Sequence, residues 1–193
     1  MVRDRGHRRH GSLLAFVVLI VVTSPAAGWA QVPEAPAPPV PPVPEFQVIW
    51  PGQLTTSQAA ADDSQQIWLR RQGVNTIVNL DDAMFDIGRF GFESFLWVAL
   101  PAGTVPTEVQ AERFLRFIQQ ADNQPAHISG SLREARATTV ALLRYAVDGL
   151  DLGSALAEAQ RLNLGAALPM QLVGWLQSWA ATHPPGSHRR PRA

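Results

Sequence analysis

The sequence predicts an α/β fold in a single domain, with a small, mostly parallel sheet flanked by helices. Three short runs at residues 74–80, 95–100 and 126–129 are apolar or β-branched, which is typical of buried strands. Segments with helical periodicity precede the first run and separate the last two, and this order favours parallel strands joined by crossover helices. The 193-residue length suits one such domain with an appendage at each end.

The first half of the domain is expected to contain three strands and one helix. Residues 47–50 alternate weakly and stop at a Pro-Gly turn, which is typical of a strand end. Thr56 or Ser57 is expected to cap a helix that runs to the next glycine. The β-branched run 74–80 follows as a central strand, and residues 95–100 form another strand after a loop rich in glycine and aromatic residues.

The second half is expected to be helical apart from one strand. Thr107 and Gln110 form a capping-box pattern, which predicts the start of a helix with an apolar stripe. The short strand 126–129 follows, and then a helix over 137–147 with apolar positions at helical spacing. The last two helices are expected to begin at Asp151 and Pro169.

The junction between strand 126–129 and the next helix carries the most informative motif. From Gln124 to Tyr145 the chain reads QPAHISGSLREARATTVALLRY: a short strand, small residues, an arginine and an amphipathic helix. This layout resembles the active-site loop of cysteine-dependent protein phosphatases, which reads His-Cys, five residues and Arg. From Ile49 to Leu162, the order of segments is also similar to that of bacterial dual-specificity-like phosphatases: IWPGQLTTSQ, IWLRRQGVNTIVNL, FLWVALP and then the loop.

The resemblance implies that Arg136 is the phosphate-binding arginine and that Gly130 stands at the position of the nucleophilic cysteine. In that family a thiolate attacks phosphorus, while loop N–H groups and the helix dipole hold the phosphate. This chain contains no cysteine. Residues 100–106, where the family carries an aspartate that acts as the general acid, contain no carboxylate. The resemblance therefore implies a phosphatase-like protein without catalysis, with Gly130, Ser131, Ala135 and Arg136 as its anion-binding residues.

Two other loop residues work against anion binding. Arg133 stands where the family has a glycine, so its side chain restricts the turn and crowds a phosphate. Glu134 adds a negative charge. Three functions stay open: binding of phosphate or a phosphorylated ligand, a protein-interaction or envelope-structural module with a relic loop, and hydrolysis by another mechanism. Ser129 and Ser131 would need an adjacent base to act as nucleophiles, and the sequence shows none.

Other chemistries find little support in the sequence. Asp81, Asp82 and Asp86 follow a predicted strand, but their spacing assigns none of them as the missing acid. We interpret His127 as a packing residue of its strand rather than a base. With no cysteine and no histidine pair at ligand spacing, we expect neither a metal site nor a cofactor. The glycine motifs of nucleotide-binding proteins are absent from the sequence.

The ends of the chain predict export. Residues 1–30 combine an arginine-rich start, a short apolar run and small residues before Gln31, which is typical of a cleaved signal peptide. The alternatives are an uncleaved inner-membrane anchor and a buried helix. We therefore expect a periplasmic or secreted protein, with a stiff proline-rich linker at 31–46, a domain at 47–182 and a disordered basic tail at 183–193.

Composition restricts the partners. Removing residues 1–30 leaves 12 basic and 15 acidic residues, a net charge of −3, which argues against nucleic-acid binding. The proline-rich linker is also a candidate ligand for a proline-binding domain, although a spacer is the simpler interpretation. The basic tail carries too few charges to predict membrane binding, so a membrane partner is expected only if the signal segment stays uncleaved.

Overall fold

The computed structural model of the chain describes residues 42–83 and 88–189. Several predictions fall wholly or partly outside these residues: the signal peptide 1–30, linker residues 31–41, Asp86 and tail residues 190–193. Among the helices described, none is long and apolar enough to span a membrane.

Five strands form one sheet in the order β1-β2-β5-β3-β4. The strands are β1 (Gln47–Trp50), β2 (Leu54–Ser57), β3 (Thr76–Asn79), β4 (Ser94–Trp97) and β5 (Ala126–Ser129). The pair β1 and β2 is antiparallel, whereas β2, β5, β3 and β4 run parallel. Because parallel strands end at one edge of a sheet, the carboxyl ends of β3 and β5 lie side by side. The predicted α/β class with a mostly parallel sheet is confirmed.

The structure describes five α-helices and two short 3₁₀ turns. The helices are α1 (Asp63–Arg71), α2 (Glu108–Ile118), α3 (Arg133–Ala146), α4 (Leu152–Leu162) and α5 (Met170–Thr182), and the turns are Gly88–Phe90 and Ala121–Asn123. The predicted capping box of α2 forms in both directions between Thr107 and Gln110. Asp151 caps α4 by accepting the N–H of Ser154 at 2.9 Å, and Pro169 directly precedes α5. Capping hydrogen bonds therefore mark the starts of α2 and α4.

Helices cover both faces of the sheet. Alternate residues of a strand point to opposite faces, so Val78 and Ile128 enter the larger apolar cluster, which contains residues of α2, α3, α4 and α5. Ile77 instead joins a smaller cluster with Leu69 of α1. By the same alternation His127 lies on the α1 face of β5, next to Ile128 on the other face.

The first predicted helix begins later than expected. Residues 54–57 form β2, and α1 starts at Asp63, where Asp62 accepts the N–H of Gln65 at 3.0 Å. The expectation that Thr56 or Ser57 caps a helix is therefore wrong. The physical reason is that β-branched Thr55 and Thr56 pair with β5 in the centre of the sheet, and this pairing outweighs their capping preference.

The predicted boundaries at both ends differ from the structure. Val43, which falls in the predicted linker, is 1% exposed. In the predicted tail, the N–H groups of Gly186 and His188 donate to Tyr145 O and Ala146 O at 2.8 and 2.9 Å. The last carbonyls of a helix lack internal partners, and these residues supply them for α3. Residues 42–46 and 183–189 are therefore packed parts of the domain rather than linker and tail.

Candidate functional site

The candidate loop lies at the carboxyl end of the central strand. β5 ends at Ser129 and α3 begins at Arg133, so only residues 130–132 separate strand from helix. The expected helix start at residue 137 is wrong by four positions, since Arg-Glu-Ala-Arg consists of good helix formers and extends the helix toward the strand. Residues 133–136 therefore form the first helical turn instead of a wide loop around an anion.

Arg136 occupies the position that the sequence predicts for an anion-binding arginine. The residue is 5% exposed, and its Nη1 donates to the carbonyl oxygen of Gly130 at 3.0 Å. Its Nη2 pairs with the carboxylate of Glu45. The guanidinium is thus held beside Gly130, and an acidic group of the same chain is bound to it.

The carboxylate of Glu45 also pairs with Arg133, so one acidic group bridges two arginines. Arg133 Nε donates to Glu45 Oε2 at 3.1 Å, and Arg133 Nη2 pairs with Oε1. The hydrogen bond from Arg133 lowers the pKa of Glu45. Burial opposes this shift, and Arg136 adds to it. Burial lowers the pKa of Arg136, although Glu45 opposes that effect, while its bond to Glu45 raises the pKa of Arg133. Both arginines stay charged at neutral pH, because a guanidinium group keeps its proton in proteins.

A second carboxylate binds a backbone N–H group and a hydroxyl group of the loop. Ser131 donates its N–H to Asp81 Oδ1 at 2.8 Å and its hydroxyl to Asp81 Oδ2 at 3.0 Å. Asp81 is oriented by its own N–H, which donates to Asn79 Oδ1 at 3.1 Å. Of the three candidate aspartates, Asp81 therefore reaches the loop, whereas Asp82 is exposed and Asp86 lies outside the described residues. Ser131 has the adjacent carboxylate that the sequence did not reveal.

Gly130 and Ala135 contribute only backbone to the site. Gly130 is buried, and a Cβ atom built on it would lie 3.0 Å from Leu80 Cβ and 3.5 Å from Arg136 Cγ. The side chain of Ala135 is in the apolar core, where it is 4% exposed. Position 130 therefore has no room for a side chain unless Leu80 or the loop moves. Glu134 lies in the first turn of α3 and is half-buried.

His127, two residues before Ser129, is fully buried and bonded through both ring nitrogens. Nδ1 lies 2.8 Å from Thr55 Oγ1, and Nε2 lies 2.9 Å from Ser57 Oγ. The Ser57 hydroxyl donates to Gln58 O, so it accepts the proton of Nε2. Burial and the charge of Arg136 lower the pKa of His127 to about 3. The residue therefore packs as a neutral imidazole and has no route to a ligand at the loop.

The open space beside the loop is small. A cleft of about 150 Å³ lies on the α1 side. Its lining residues are Ala59, Ala60, Gln66, Ile77, Asn79, Asp81, Ala83 and Ser129. Pockets for drug-sized ligands are typically above about 300 Å³. Within residues 42–83 and 88–189, no cluster of three or more histidine and acidic side chains is arranged to hold a metal ion.

Known structures of phosphatases share this fold, although no protein-family model and no curated protein matches the sequence. Tk-PTP in its active form has a TM-score of 0.58 and 23% identity, with 70% of this chain and 95% of that chain covered. The catalytic core of the PP-IP phosphatase SIW14 from S. cerevisiae, in complex with citrate, has a TM-score of 0.58 and 12% identity, with 73% of this chain and 93% of that chain covered. PTPMT1 in complex with PI(5)P has a TM-score of 0.56 and 14% identity, with 71% of this chain and 95% of that chain covered. The chain therefore has a fold like that of tyrosine and dual-specificity phosphatases.

Proposed function

We propose that this protein is a non-hydrolytic phosphatase-fold protein, whose loop binds acidic groups instead of cleaving phosphate esters. The observation that carries the proposal is the clamp in which Arg133 and Arg136 bind one carboxylate, that of Glu45, next to a loop without a thiol. An arginine pair of this kind suits carboxylate and phosphoryl oxygens alike. The ligand class is therefore phosphate, a phosphorylated molecule or a carboxylate.

The loss of hydrolysis follows from position 130. Cysteine phosphatases need a thiolate at the end of this strand, and Gly130 offers no nucleophile and places Leu80 Cβ 3.0 Å from any added Cβ atom. The segment 100–106 supplies no carboxylate that would protonate a leaving group. The complexes of SIW14 with citrate and of PTPMT1 with PI(5)P support acidic ligands for proteins of this fold. Export by residues 1–30 would place the protein in the periplasm or outside the cell.

The second candidate function is hydrolysis through Ser131, favoured by the Asp81 carboxylate 3.0 Å from its hydroxyl. A carboxylate that also binds the N–H of the same residue fixes the serine in place and is a weak base for a hydroxyl group. The arginines that would stabilise a transition state are held by Glu45. Both features argue against turnover through Ser131.

Turnover measurements test the proposal. We expect the purified protein to release no phosphate from an aryl phosphate or a phosphotyrosine peptide above a buffer blank, and to form no phosphoenzyme. The variants Ser131→Ala and Ser129→Ala should leave this background unchanged, as should Ser178→Ala, a matched control in α5. Turnover that disappears in Ser131→Ala and persists in Ser178→Ala would establish serine chemistry and refute the proposed function.

A further inference from the structure

Glu45 is held over the arginines by anchors on both sides of it in the chain. Val43 is buried in the cluster under α1, and the carbonyl of Pro44 accepts the N–H of Gln58 at 3.0 Å. The ring of Phe46 meets Trp68 edge-on at 5.0 Å and lies parallel to His127 at 6.1 Å. Residues 42–46, which we call the clamp segment, therefore pack against β5 and α1 and carry the carboxylate to the loop.

The backbone at Glu45 supports a dedicated role for its side chain. Its φ angle is +60°, in the left-handed region that residues with a Cβ rarely adopt. Such a conformation persists where the surrounding contacts impose it, and it often accompanies a functional site. In the clamp segment the neighbouring anchors impose it, and its result is a carboxylate that bridges Arg133 and Arg136.

Arg133 and Arg136 share the carboxylate of Glu45 as their ion-pair partner, and the side chain of Arg136 is only 6% exposed. Asp81 and Glu134 act on Arg136 and Arg133 from farther away, without an ion pair to either. Within the described residues, Glu45 is the acidic partner of both arginines. Its own side chain is 24% exposed, so it can turn toward solvent while Val43 and Phe46 stay in place.

We propose that Glu45 is a built-in occupant of an oxyanion site formed by Arg133 and Arg136. A phosphate or carboxylate group of a ligand then has to displace Glu45, and the site is hidden from simple anions while Glu45 is bound. An intramolecular competitor acts at a high effective concentration, which lowers the apparent affinity for any free ligand. This inference rests on the proposed non-hydrolytic function and adds how access to the loop is controlled.

Thermal unfolding with inorganic phosphate tests the occupancy. We expect up to about 50 mM phosphate to raise the melting temperature of the wild type no more than chloride at equal ionic strength. In Glu45→Ala, phosphate at ten times its Kd should raise it by roughly 3–6 °C over chloride. Glu45→Gln, which keeps the shape of the side chain, should respond in the same direction and serves if the alanine variant does not fold. Asp63→Ala, which breaks the exposed pair with Arg89, is the matched control and should not respond.

The response should depend on the buried arginine. Adding Arg136→Met to Glu45→Gln should abolish the phosphate effect while the melting transition stays cooperative. An equal phosphate response in wild type and Glu45 variants would show that Glu45 does not fill the site. No response in any folded Glu45 variant would show that the arginines serve packing alone. Either result overturns the inference without touching the prediction of no turnover, which is measured separately.

Discussion

Placing a cysteine at position 130 is expected to destabilise the protein without giving it catalytic activity. Its Cβ would lie 3.0 Å from Leu80 Cβ, whereas carbon atoms in good contact are about 3.5–4.0 Å apart. The two atoms therefore have to separate by about a few tenths of an ångström. The N–H of Leu80 donates to Ser129 O at 2.8 Å, so moving Leu80 away also disturbs the bond between β3 and β5 at the loop.

The expected cost of this contact follows from overpacking. Forced contacts in well-packed interiors cost about 1–3 kcal/mol, which for a domain of this size corresponds to a fall of roughly 2–12 °C in melting temperature. Urea unfolding of Gly130→Cys and wild type measures the free energy directly. Phosphate release and trapping of a phosphoenzyme measure catalysis, and we expect neither because Asp81 and Glu45 hold the loop donors.

Three further variants test whether the loss of stability comes from the added Cβ atom at position 130. Gly130→Ala carries the same Cβ and should lose about as much stability as the cysteine variant. Adding Leu80→Ala should not rescue it, since the close contact involves the Cβ that alanine retains. Gly174→Ala in α5, where a Cβ meets nothing within 4 Å, should be stabilising by about 0.5–1 kcal/mol. A Gly130→Cys protein as stable as wild type that forms a phosphoenzyme would refute the reasoning.

Two other predictions concern acid stability and export. The pKa of His127 is lowered to about 3 from an ordinary 6.5, so the unfolded chain binds the proton first and stability falls as pH drops through 6.5 toward 3. Between pH 7 and 5 the loss is roughly 2 kcal/mol, and urea unfolding of His127→Gln should lack it; an equal loss in both would contradict the assignment. Intact mass of envelope-derived protein should give Gln31 as the first residue, and retention of residues 1–30 would indicate an anchor.

Local signals in the sequence were sufficient for most of the fold. β5 has the predicted bounds, Ala126–Ser129, and α2 begins where Thr107 and Gln110 predict a capping box. The β2 strand was missed because threonine and serine suit both a strand and a helix cap, and only pairing with β5 decides between them. Local sequence signals therefore predict where a helix or strand forms better than they decide between two structures that suit the same residues.

The candidate site was only partly predictable, since its decisive contacts are long-range. Arg136 and Gly130, which the sequence assigns to one strand–helix junction, are joined by a hydrogen bond. Glu45 is 91 residues away from Arg136 and follows a run of prolines that predicts a spacer. Two arginines in one helical turn at a buried junction do require a nearby acid, but no spacing rule identifies which acid supplies it.

The buried histidine also determines how β2 and β5 are aligned. Thr55 and Ser57, two residues apart on one face of β2, bind opposite nitrogens of the same ring. A slip of one residue would turn both hydroxyls to the other face, and a slip of two would leave one ring nitrogen without its partner in the interior. Both hydrogen bonds of the imidazole can therefore form in only one alignment of β2 and β5. Redesign of this sheet should therefore exchange Thr55, Ser57 and His127 as one unit.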